Sequence, residues 1–522
     1  MRVACISGLP GTWVPQVHAN CSHNENAALL LRSMASLPRP VDCPVGGGFT
    51  RLFRRLRSIA RRYSGESWSH LETARSYSGM LGRRYAEAER SLRLDGRLRS
   101  SDYKLRAFLK AEKVGAAKDA KPRMIFPRSP RYNLSLASWL KPFEHWLWGY
   151  LTFSRLFGGR NPTRVVAKGL SPRRRANLIK RKLERFDCGA CFEVDGKAFE
   201  AHVSSPQIRA EHSVYMAAFR GDPGLQSVLS HQTFEGVTSS GQKFSRPGGR
   251  ASGDFNTGMG NSLIMLAVVG AVLLSRGVPF DTLVDGDNAL VFCELADLDC
   301  VRKDFASDVL AESGHELSLE VPTVQLESIR FGRSAPLCLG GDRWTMVREP
   351  WSVLSGATAS HRWLREPAFA RRYLEGVARC ELSLAVGVPV IQAWALRLLR
   401  ACGTHRKALP SAALADYFVV GARLVDESCV VEPSREARLS FERAFGVSPD
   451  EQLQWEATPV VYGQCPTSAE AGVWPSCALE ARPGLFERPS ESSCLCRVGE
   501  HVVQFPSRVR GFFVGQGLHP CR

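Results

Sequence analysis

Two acidic segments of this sequence, each attached to a run of apolar residues, have the side chains best suited to metal-ion chemistry. Residues 283–292 read as two apolar runs around an Asp-Gly-Asp-Asn turn, whose residues tolerate the positive φ of a tight hairpin. This turn contains Asp287 and Asn288, and a second apolar run ends at Asp195, followed by Glu200. Carboxylates from two strands that meet can bind two divalent ions about 4 Å apart and stabilise an in-line phosphoryl displacement. Taken singly, each segment also fits a plain surface turn or strand end.

A loop rich in glycine and serine lies between these two acidic segments. Residues 248–256 form the loop, and an apolar helical pattern follows it. We expect Asp254 to be the N-cap of that helix. Thr257 and Asn261 are four residues apart and so share one helix face, which suggests a ligand-facing patch. A cap followed by an ordinary polar helix start is the alternative.

Basic residues outnumber acidic ones and are concentrated in three stretches. Lys plus Arg number 69 and Asp plus Glu 51, a formal net charge of +18, which favours a polyanionic partner such as nucleic acid or an anionic membrane surface. The turn-rich stretch 104–131 suits phosphate binding because planar guanidinium groups match phosphate oxygens. Residues 173–185 are a candidate wall of an RNA channel. The amphipathic stretch 51–62 fits a solvated helix face, an RNA contact or a membrane-surface contact.

The composition is that of an ordinary globular protein with a sizeable core. Hydrophobic residues make up 44% of the 522 residues and charged residues 23%, which excludes wholesale disorder. The longest apolar stretch, 263–274, is too short to span a bilayer and predicts a buried helix. The 16 Cys are scattered without a framework, which favours reduced, intracellular thiols. Helical patterns are expected at 139–148, at 173–186 and over most of 350–450.

In this order, the motifs resemble those of the RNA-dependent RNA polymerases of positive-strand RNA viruses, and within them the tombusvirus-like group. Residues 195–204 are similar to motif A, 252–261 to motif B and 286–288 to motif C. The likeness extends to motif F at 108–113 and 121–133, to the motif E region at 327–331 and 344–348, and to an N-terminal segment at 17–20.

The resemblance implies roles for individual residues. Asp195, Asp287 and Asn288 would be catalytic and would hold two Mg²⁺ (or Mn²⁺) ions. Nucleotide and ribose contacts would come from Glu200, Ser252, Gly253, Thr257 and Asn261. Triphosphate and template contacts would come from Lys113, Lys121, Arg123 and Arg131.

The implied fold is an α+β right hand of fingers, palm and thumb with an antiparallel palm sheet. An N-terminal extension with fingers would span about residues 1–100, and fingers with motif F about 101–185. The palm would span about 186–355, with a fingers insertion at about 205–245, and a helical thumb with a Cys/Pro/Gly-rich tail about 356–522.

Two residues depart from the pattern of that group. Its motif C usually reads Gly-Asp-Asp, and here Asn288 has lost one negative charge, which would weaken Mg²⁺ binding and favour Mn²⁺. Asp285 could replace part of that charge, although its shift along the hairpin could turn it to the other sheet face. Glu200 replaces an Asp, and its extra methylene could crowd the sugar.

RNA-directed RNA polymerase activity, with ribonucleoside triphosphates as substrates and RNA as template and product, is the function that the motifs favour. A catalytically weak or inactive RNA-binding replication component is the alternative. A reverse transcriptase is a third reading, but an acid at Glu200 fits a ribonucleotide site better than the usual bulky aromatic gate. Viral or host replication proteins and peripheral membrane association are further candidate partners, with no transmembrane helix, at a replication complex in the host cytoplasm.

Overall fold

The structure is a computed structural model of the chain. It describes residues 2–3, 9–38, 45–115, 120–360, 363–364, 366–402, 422–458, 467–468, 495–498 and 501–504. Over these residues the fold mixes helices with mostly antiparallel sheets, as predicted.

Helices make up much of the described chain, and a π-helical turn, Leu29–Ser33, follows the first of them. They are α1 (Ser22–Ala28), α2 (Gly47–Ala60), α3 (His70–Arg75), α4 (Gly79–Asp95), α5 (Ser100–Tyr103), α6 (Pro130–Tyr150), α7 (Phe153–Phe157), α8 (Pro172–Leu183), α9 (Phe199–His202), α10 (Ser205–Ala218), α11 (Pro223–Ser230), α12 (Thr257–Ser275), α13 (Leu298–Arg302), α14 (Phe305–Ser313), α15 (Pro350–Gly356), α16 (Pro367–Leu384), α17 (Ile391–Cys402), α18 (Arg435–Phe445) and α19 (Pro449–Ala457).

The strands are mostly short. They are β1 (Arg2–Val3), β2 (Pro15–Gln16), β3 (Leu105–Leu109), β4 (Val114–Gly115), β5 (Met124–Ile125), β6 (Gly189–Gly196), β7 (Phe234–Thr238), β8 (Lys243–Arg246), β9 (Phe280–Asp285), β10 (Asn288–Glu294), β11 (Leu317–Leu319), β12 (Ser334–Cys338), β13 (Trp344–Arg348), β14 (Ala359–Ser360), β15 (Thr467–Ser468), β16 (Leu495–Val498) and β17 (His501–Gln504).

A four-stranded antiparallel sheet forms the centre of the molecule, in the order β11-β6-β10-β9. Side chains alternate between its two faces along each strand. Val194 and Val291 pack in one hydrophobic core with α12, whereas Cys191 and Leu290 pack in another with α8. The sheet is therefore the middle layer between these two helices.

The helices on either side of the sheet follow from local sequence signals. Ser171 is the N-cap of α8, and its side chain accepts a hydrogen bond from the backbone N–H of Arg174. Pro172, the first residue of the helix, fits the first helical turn. α12 is apolar on nearly every side, so it is long and apolar enough to span a membrane by length and composition. However, 83% of its apolar window is buried inside the protein. The predicted buried helix at 263–274 and the helices at 139–148 and 173–186 are confirmed, the last ending at Leu183.

A second sheet, β16-β17-β8-β7-β3-β5, lies on the side of the N-terminal segment and contains one parallel pair, β3 with β7. Its core combines Phe126, Phe234 and Phe244 with Leu29 and Leu30 of the N-terminal segment. β2 also pairs with β4. The first part of the chain is thereby attached to the basic stretch that was predicted to bind phosphates.

The C-terminal helices α16, α17 and α18 share a core of their own, which includes Leu374, Leu398 and Phe441. Glu327, in the segment that precedes β12, connects to α18 because its Oε1 accepts from Ser440 Oγ at 3.1 Å and from Arg443 Nη2 at 2.6 Å. The helical prediction for 350–450 is confirmed over the described residues; 403–421 lie outside them, as does most of the Cys/Pro/Gly-rich tail.

Candidate functional site

The predicted hairpin brings Asp287 to the end of β6. β9 ends at Asp285 and β10 begins at Asn288, so the turn is Gly286-Asp287, with φ of +67° at Gly286, a conformation that glycine adopts without strain. The strand register places Asn288 opposite Asp195, and Gly196 N donates to the Asp287 carbonyl at 3.0 Å. Asp195, Asp287 and Asn288 therefore lie at the same end of the central sheet.

Helix α12 fixes the position of this turn. Gly286 N donates to Ser262 Oγ at 3.0 Å, and the Ser262 hydroxyl donates to the Gly258 carbonyl at 2.8 Å. Ser262 is completely buried. Its only signal in the sequence is its place beside Asn261 in an otherwise apolar run, so its role was not predicted.

A cavity of about 830 Å³ opens beside this end of the sheet. Its polar lining includes the acids Asp195, Asp287, Glu200 and Glu193 and the cations Arg32, Arg123, Arg330 and Arg333. Burial raises the pKa of Asp287 to about 6, and the nearby carboxylates of Glu200 and Asp195 add to the effect. The pKa of Asp195 is also raised, by burial and by Glu320.

The carboxylates here are partly buried and repel one another, and both effects raise their pKa values. A divalent cation would offset both the repulsion between the carboxylates and their loss of solvation. Carboxylate and amide oxygens are ligands that Mg²⁺ accepts. Within the described chain, no three His, Cys, Asp or Glu side chains form a preformed metal-binding group. Ions held by Asp195, Asp287 and Asn288 would complete their coordination with water and substrate phosphate, as Mg²⁺ commonly does. The residues present therefore fit such ions.

Asp285 lies on the same sheet face as Asn288, so the expectation that it could turn to the other face is wrong. The register pairs Asp285 directly with Asn288, and directly paired residues share a face. Its carboxylate, however, is ion-paired with Arg175 Nη2 of α8 at 2.5 Å. It borders a separate cavity of about 360 Å³, not the one that Asp287 lines.

The loop before α12 packs on the backbone of the basic stretch 104–131. Phe126 N donates to the Ser252 carbonyl at 3.0 Å. A Cβ at Gly253 would lie 2.8 Å from backbone atoms of Phe126 and Pro127, so this approach requires glycine. Ser252 borders a second, smaller cavity of about 140 Å³ that Arg32, Arg123 and Glu200 also line, whereas Gly253 borders neither this cavity nor the larger one.

Asp254 is not the N-cap of α12, so that prediction is wrong. The cap residue is Asn256, whose side chain makes no capping hydrogen bond. Asp254 is buried and ion-paired with Arg128 at 3.1 Å, a partner distant in sequence. The Thr257 hydroxyl donates to the carbonyls of Ala251 (2.8 Å) and Asp254 (2.9 Å), so Thr257 holds the loop in shape and does not face the large cavity.

Glu200 and Asn261 are linked through Arg250, which the sequence analysis did not single out. Arg250 N donates to the Glu200 carbonyl at 2.8 Å, and Arg250 Nε donates to Asn261 Oδ1 at 3.1 Å. Glu200 lines both cavities, whereas Asn261 is only 4% exposed and borders neither.

Of the four predicted phosphate-binding residues, only Arg123 lines the large cavity, where it also approaches Glu112 Oε1 at 3.3 Å. Lys113 Nζ donates to the Gly356 carbonyl at 2.6 Å. Lys121 borders neither cavity.

Arg131 is held by Asp102 (3.2 Å) and donates to Ser91 and to the carbonyls of Gly96 and Arg97, away from the cavity.

Arg32, in the π-helical turn, is a cavity residue that the sequence analysis missed. It lines both cavities beside Arg123. Burial and Arg123 lower the pKa of Arg32, while Glu200, Glu112 and Asp287 raise it. It follows three leucines, precedes Ser33 and stands about 90 residues before Arg123, so only the tertiary fold brings the two guanidinium groups together.

Known proteins share sequence similarity with most of this chain. A sequence family described as "Viral RNA dependent RNA polymerase" matches residues 1–461. The RNA-directed RNA polymerase of Turnip crinkle virus is 32% identical over 474 residues, and that of Carnation mottle virus 31% over 417 residues. These alignments cover 86% and 77% of this chain but only 58% and 53% of the relatives, so the chain spans a little over half of their length. The chain belongs to the family of viral RNA-dependent RNA polymerases.

Proposed function

We propose that this chain catalyses template-directed RNA synthesis from ribonucleoside triphosphates. The observation that carries the proposal is the large cavity, where Asp195 and Asp287 lie at one end of a sheet and face Arg32 and Arg123. Acids that can hold divalent ions and cations that can hold phosphates are the two requirements of nucleotidyl transfer. Membership of the polymerase family supports the same activity.

In this reaction the 3′-hydroxyl oxygen of the growing RNA forms a bond to the α-phosphorus of the triphosphate. The bond from that phosphorus to the bridging oxygen breaks, and pyrophosphate leaves. Two divalent ions, Mg²⁺ or Mn²⁺, would supply activation of the hydroxyl and neutralisation of the leaving group. Asp195, Asp287 and the amide oxygen of Asn288 would hold them.

The other residues of the site bind and orient the substrate. Arg123 and Arg32 offer guanidinium forks to the triphosphate, and Glu112 holds Arg123 in place. Glu200 and Asn261 would recognise the ribose, on a loop that Ser252, Gly253 and Thr257 keep against residues 126–127. Lys113 and Lys121 stay candidates for template phosphates. Arg131 is engaged by Asp102 and two carbonyls, so we assign it a structural role.

The family implies a right-hand polymerase fold, and the layers of this chain can be assigned to it. The antiparallel sheet β11-β6-β10-β9 with α8 and α12 would be the palm, within about residues 186–355. The second sheet and the N-terminal helices would be the fingers, and α16 to α19 the thumb. The phosphate-binding stretch would then face the catalytic acids across the large cavity.

The partners of this activity would be an RNA template, its product and the nucleotides, in replication of a viral genome in the host cytoplasm. Helix α2 buries Phe49, Leu52 and Leu56 while Arg51 and Arg54 are exposed. Its basic face is therefore available to RNA, to other replication proteins or to a membrane surface.

The direct test is an incorporation assay with the purified full chain, an RNA template and ribonucleotides in Mg²⁺ or Mn²⁺. We expect labelled RNA product from the parent and none from Asp287→Ala. Asp299→Ala, at an exposed acid on α13 that does not line the cavity, is the matched control and should keep full activity. Undiminished synthesis by Asp287→Ala would overturn the assignment.

Asn288 is the observation that favours a second candidate, a replication component that binds RNA without catalysing synthesis. Asn288→Asp distinguishes the two. If the missing carboxylate limits the enzyme, this change should raise synthesis in Mg²⁺ by about tenfold and reduce the preference for Mn²⁺. Salt-sensitive RNA binding with no incorporation by either protein, in either metal, would favour the second candidate.

A further inference from the structure

A buried network of charged and amide side chains lies directly behind the proposed ribose site. Glu211 of α10 is fully buried and Arg250 is 4% exposed. Both terminal guanidinium nitrogens of Arg250 contact the Glu211 carboxylate, Nη1 to Oε1 at 3.2 Å and Nη2 to Oε2 at a shorter distance. Burying such a pair is costly unless its geometry and additional hydrogen bonds compensate, so a buried pair calls for an explanation.

The additional hydrogen bonds are present and hold the Glu211 carboxylate from two further sides. Tyr215 donates its hydroxyl to Glu211 Oε1 at 2.6 Å, and Asn256 Nδ2 donates to the same oxygen at 2.8 Å. A Cβ at Gly260 would lie 2.3 Å from Glu211 Oε1 and 2.5 Å from Arg250 Nη2, so the first turn of α12 closes directly over the pair. Arg250 is therefore locked in one orientation.

The locked guanidinium determines which way the Asn261 amide points. Arg250 Nε donates to Asn261 Oδ1 at 3.1 Å. A guanidinium group has only donors, so it can accept no hydrogen bond from Asn261 and selects the amide orientation whose oxygen faces it. The two N–H donors of the amide then point away from Arg250. A ligand at Asn261 thus meets donors only, which suits an oxygen acceptor such as a hydroxyl.

The same arginine also holds the other proposed sugar contact. Arg250 N donates to the Glu200 carbonyl at 2.8 Å, and Arg250 borders the smaller cavity that Glu200 lines. One residue therefore sets the separation between the acid and the amide that would recognise a ribose.

We propose that Arg250, itself held by Glu211, is a positioning residue for ribose selection, which acts by fixing the Asn261 amide and its distance from Glu200. This inference rests on the proposed function. It assigns to the network a role in choosing ribonucleotides over 2′-deoxyribonucleotides, separate from the catalytic step.

The test is the ratio of kcat/KM for a ribonucleotide to that for the matching 2′-deoxyribonucleotide, in single-nucleotide incorporation by the full chain. Arg250→Lys keeps a positive charge opposite Glu211 but has no Nε to contact Asn261. We expect the ratio to fall by about tenfold, mainly through a higher KM for the ribonucleotide. Ser213→Ala is the matched control: its hydroxyl lies on the same helix, α10, but donates to the Ala210 carbonyl and takes no part in the network, so the ratio should be retained.

Asn261→Asp is the second variant, because it keeps the shape and the oxygen that Arg250 contacts but removes the N–H donors. It should lower the ratio as much as Arg250→Lys does. Combining the two changes should lower the ratio no further, because both act on the same contact between the Asn261 N–H donors and the ribose. Equal losses for both nucleotides with an unchanged ratio in both variants would show a merely structural network and overturn the inference. A parent chain that incorporates neither nucleotide would instead overturn the proposed function.

Discussion

At the scale of single residues, Asn288 lies between two carboxylates in the strand register. Asp195 is its partner on β6 and Asp285 its partner on β9. An acid at this position would stand directly opposite two others, and like charges directly opposite one another destabilise a sheet. Arg175 neutralises Asp285 on one side of the row. The neutral amide therefore limits the repulsion to the acids that face the cavity, Asp195, Asp287 and Glu200.

Asp287 should destabilise the metal-free protein in a manner that depends on pH. Its pKa is about 6 in the folded chain and about 4 in an unfolded one, so the unfolded state ionises first as the pH rises. The resulting loss of stability develops between about pH 4 and 6 and stays at higher pH. We expect Asp287→Asn, in the presence of a chelator, to raise the free energy of unfolding by about 1–3 kcal/mol at pH 7.5 and very little at pH 4.

Urea unfolding at the two pH values measures this difference. Asp299→Asn, at an exposed position outside the cavity, should leave stability nearly unchanged at both. An equal gain for Asp287→Asn at pH 4 and pH 7.5 would mean that packing, and not charge, is responsible.

At the scale of elements, the sequence predicted what local chemistry determines and failed where distant partners decide. The hairpin at Gly286 and the buried helix α12 follow from turn residues and apolar pattern, and both are present. Asp254 was expected to cap α12 because it stands near the helix start. Its carboxylate instead accepts a hydrogen bond from Arg128, which lies 126 residues earlier. Arg131, predicted to bind phosphate, is ion-paired with Asp102 and donates to the Gly96 carbonyl after α4, contacts that the sequence did not indicate.

Gly253 tests whether the contact between the loop before α12 and residues 126–127 is needed for activity. An added methyl group would meet the Phe126 and Pro127 backbone at 2.8 Å, and backbone cannot move aside as a flexible side chain does. Gly253→Ala should separate the two segments and lower incorporation by at least about tenfold, because Arg123 and Ser252 would lose their relative position. Initial rates of nucleotide incorporation measure the effect.

Gly149→Ala is the control for that substitution. Its Cβ would have nothing within 4 Å, and Gly149 lies in α6, where alanine is the better helix former. It should keep full activity with equal or slightly higher stability. If Gly253→Ala is as active as Gly149→Ala, close packing of the loop is not required.

At the scale of the whole molecule, parts of the chain far apart in sequence converge on the short helix α15. Trp13 N donates to Ser355 Oγ at 2.9 Å, and Trp351 Nε1 donates to the Pro10 carbonyl at 3.1 Å. Lys113 of the basic stretch 104–131 donates to the Gly356 carbonyl, and β2 pairs with β4. The N-terminal segment and residues 113–115 are thus joined both to each other and to α15. Glu349, immediately before α15, and Glu112, immediately before Lys113, both line the large cavity, so these contacts join two parts of its wall.

If these contacts keep the cavity closed around RNA, weakening them should shorten the lifetime of the RNA complex but spare the chemical step. The double variant Ser355→Ala with Trp351→Phe removes two hydrogen bonds from the N-terminal segment to α15 and leaves every proposed catalytic residue in place. We expect the half-life of a stalled complex, measured after adding a heparin competitor, to fall by about threefold to tenfold, as expected for the loss of one or two modest hydrogen bonds. Single-nucleotide incorporation by preformed complex should be unchanged, because neither of the removed hydrogen bonds involves Asp195, Asp287 or Arg123. Ser352→Ala, which removes only an exposed hydrogen bond from α15 to the preceding Glu349, should leave both measurements unchanged. An unaltered half-life in the double variant would show that the RNA is retained by contacts inside the cavity alone, and that the junction at α15 serves stability and not enclosure.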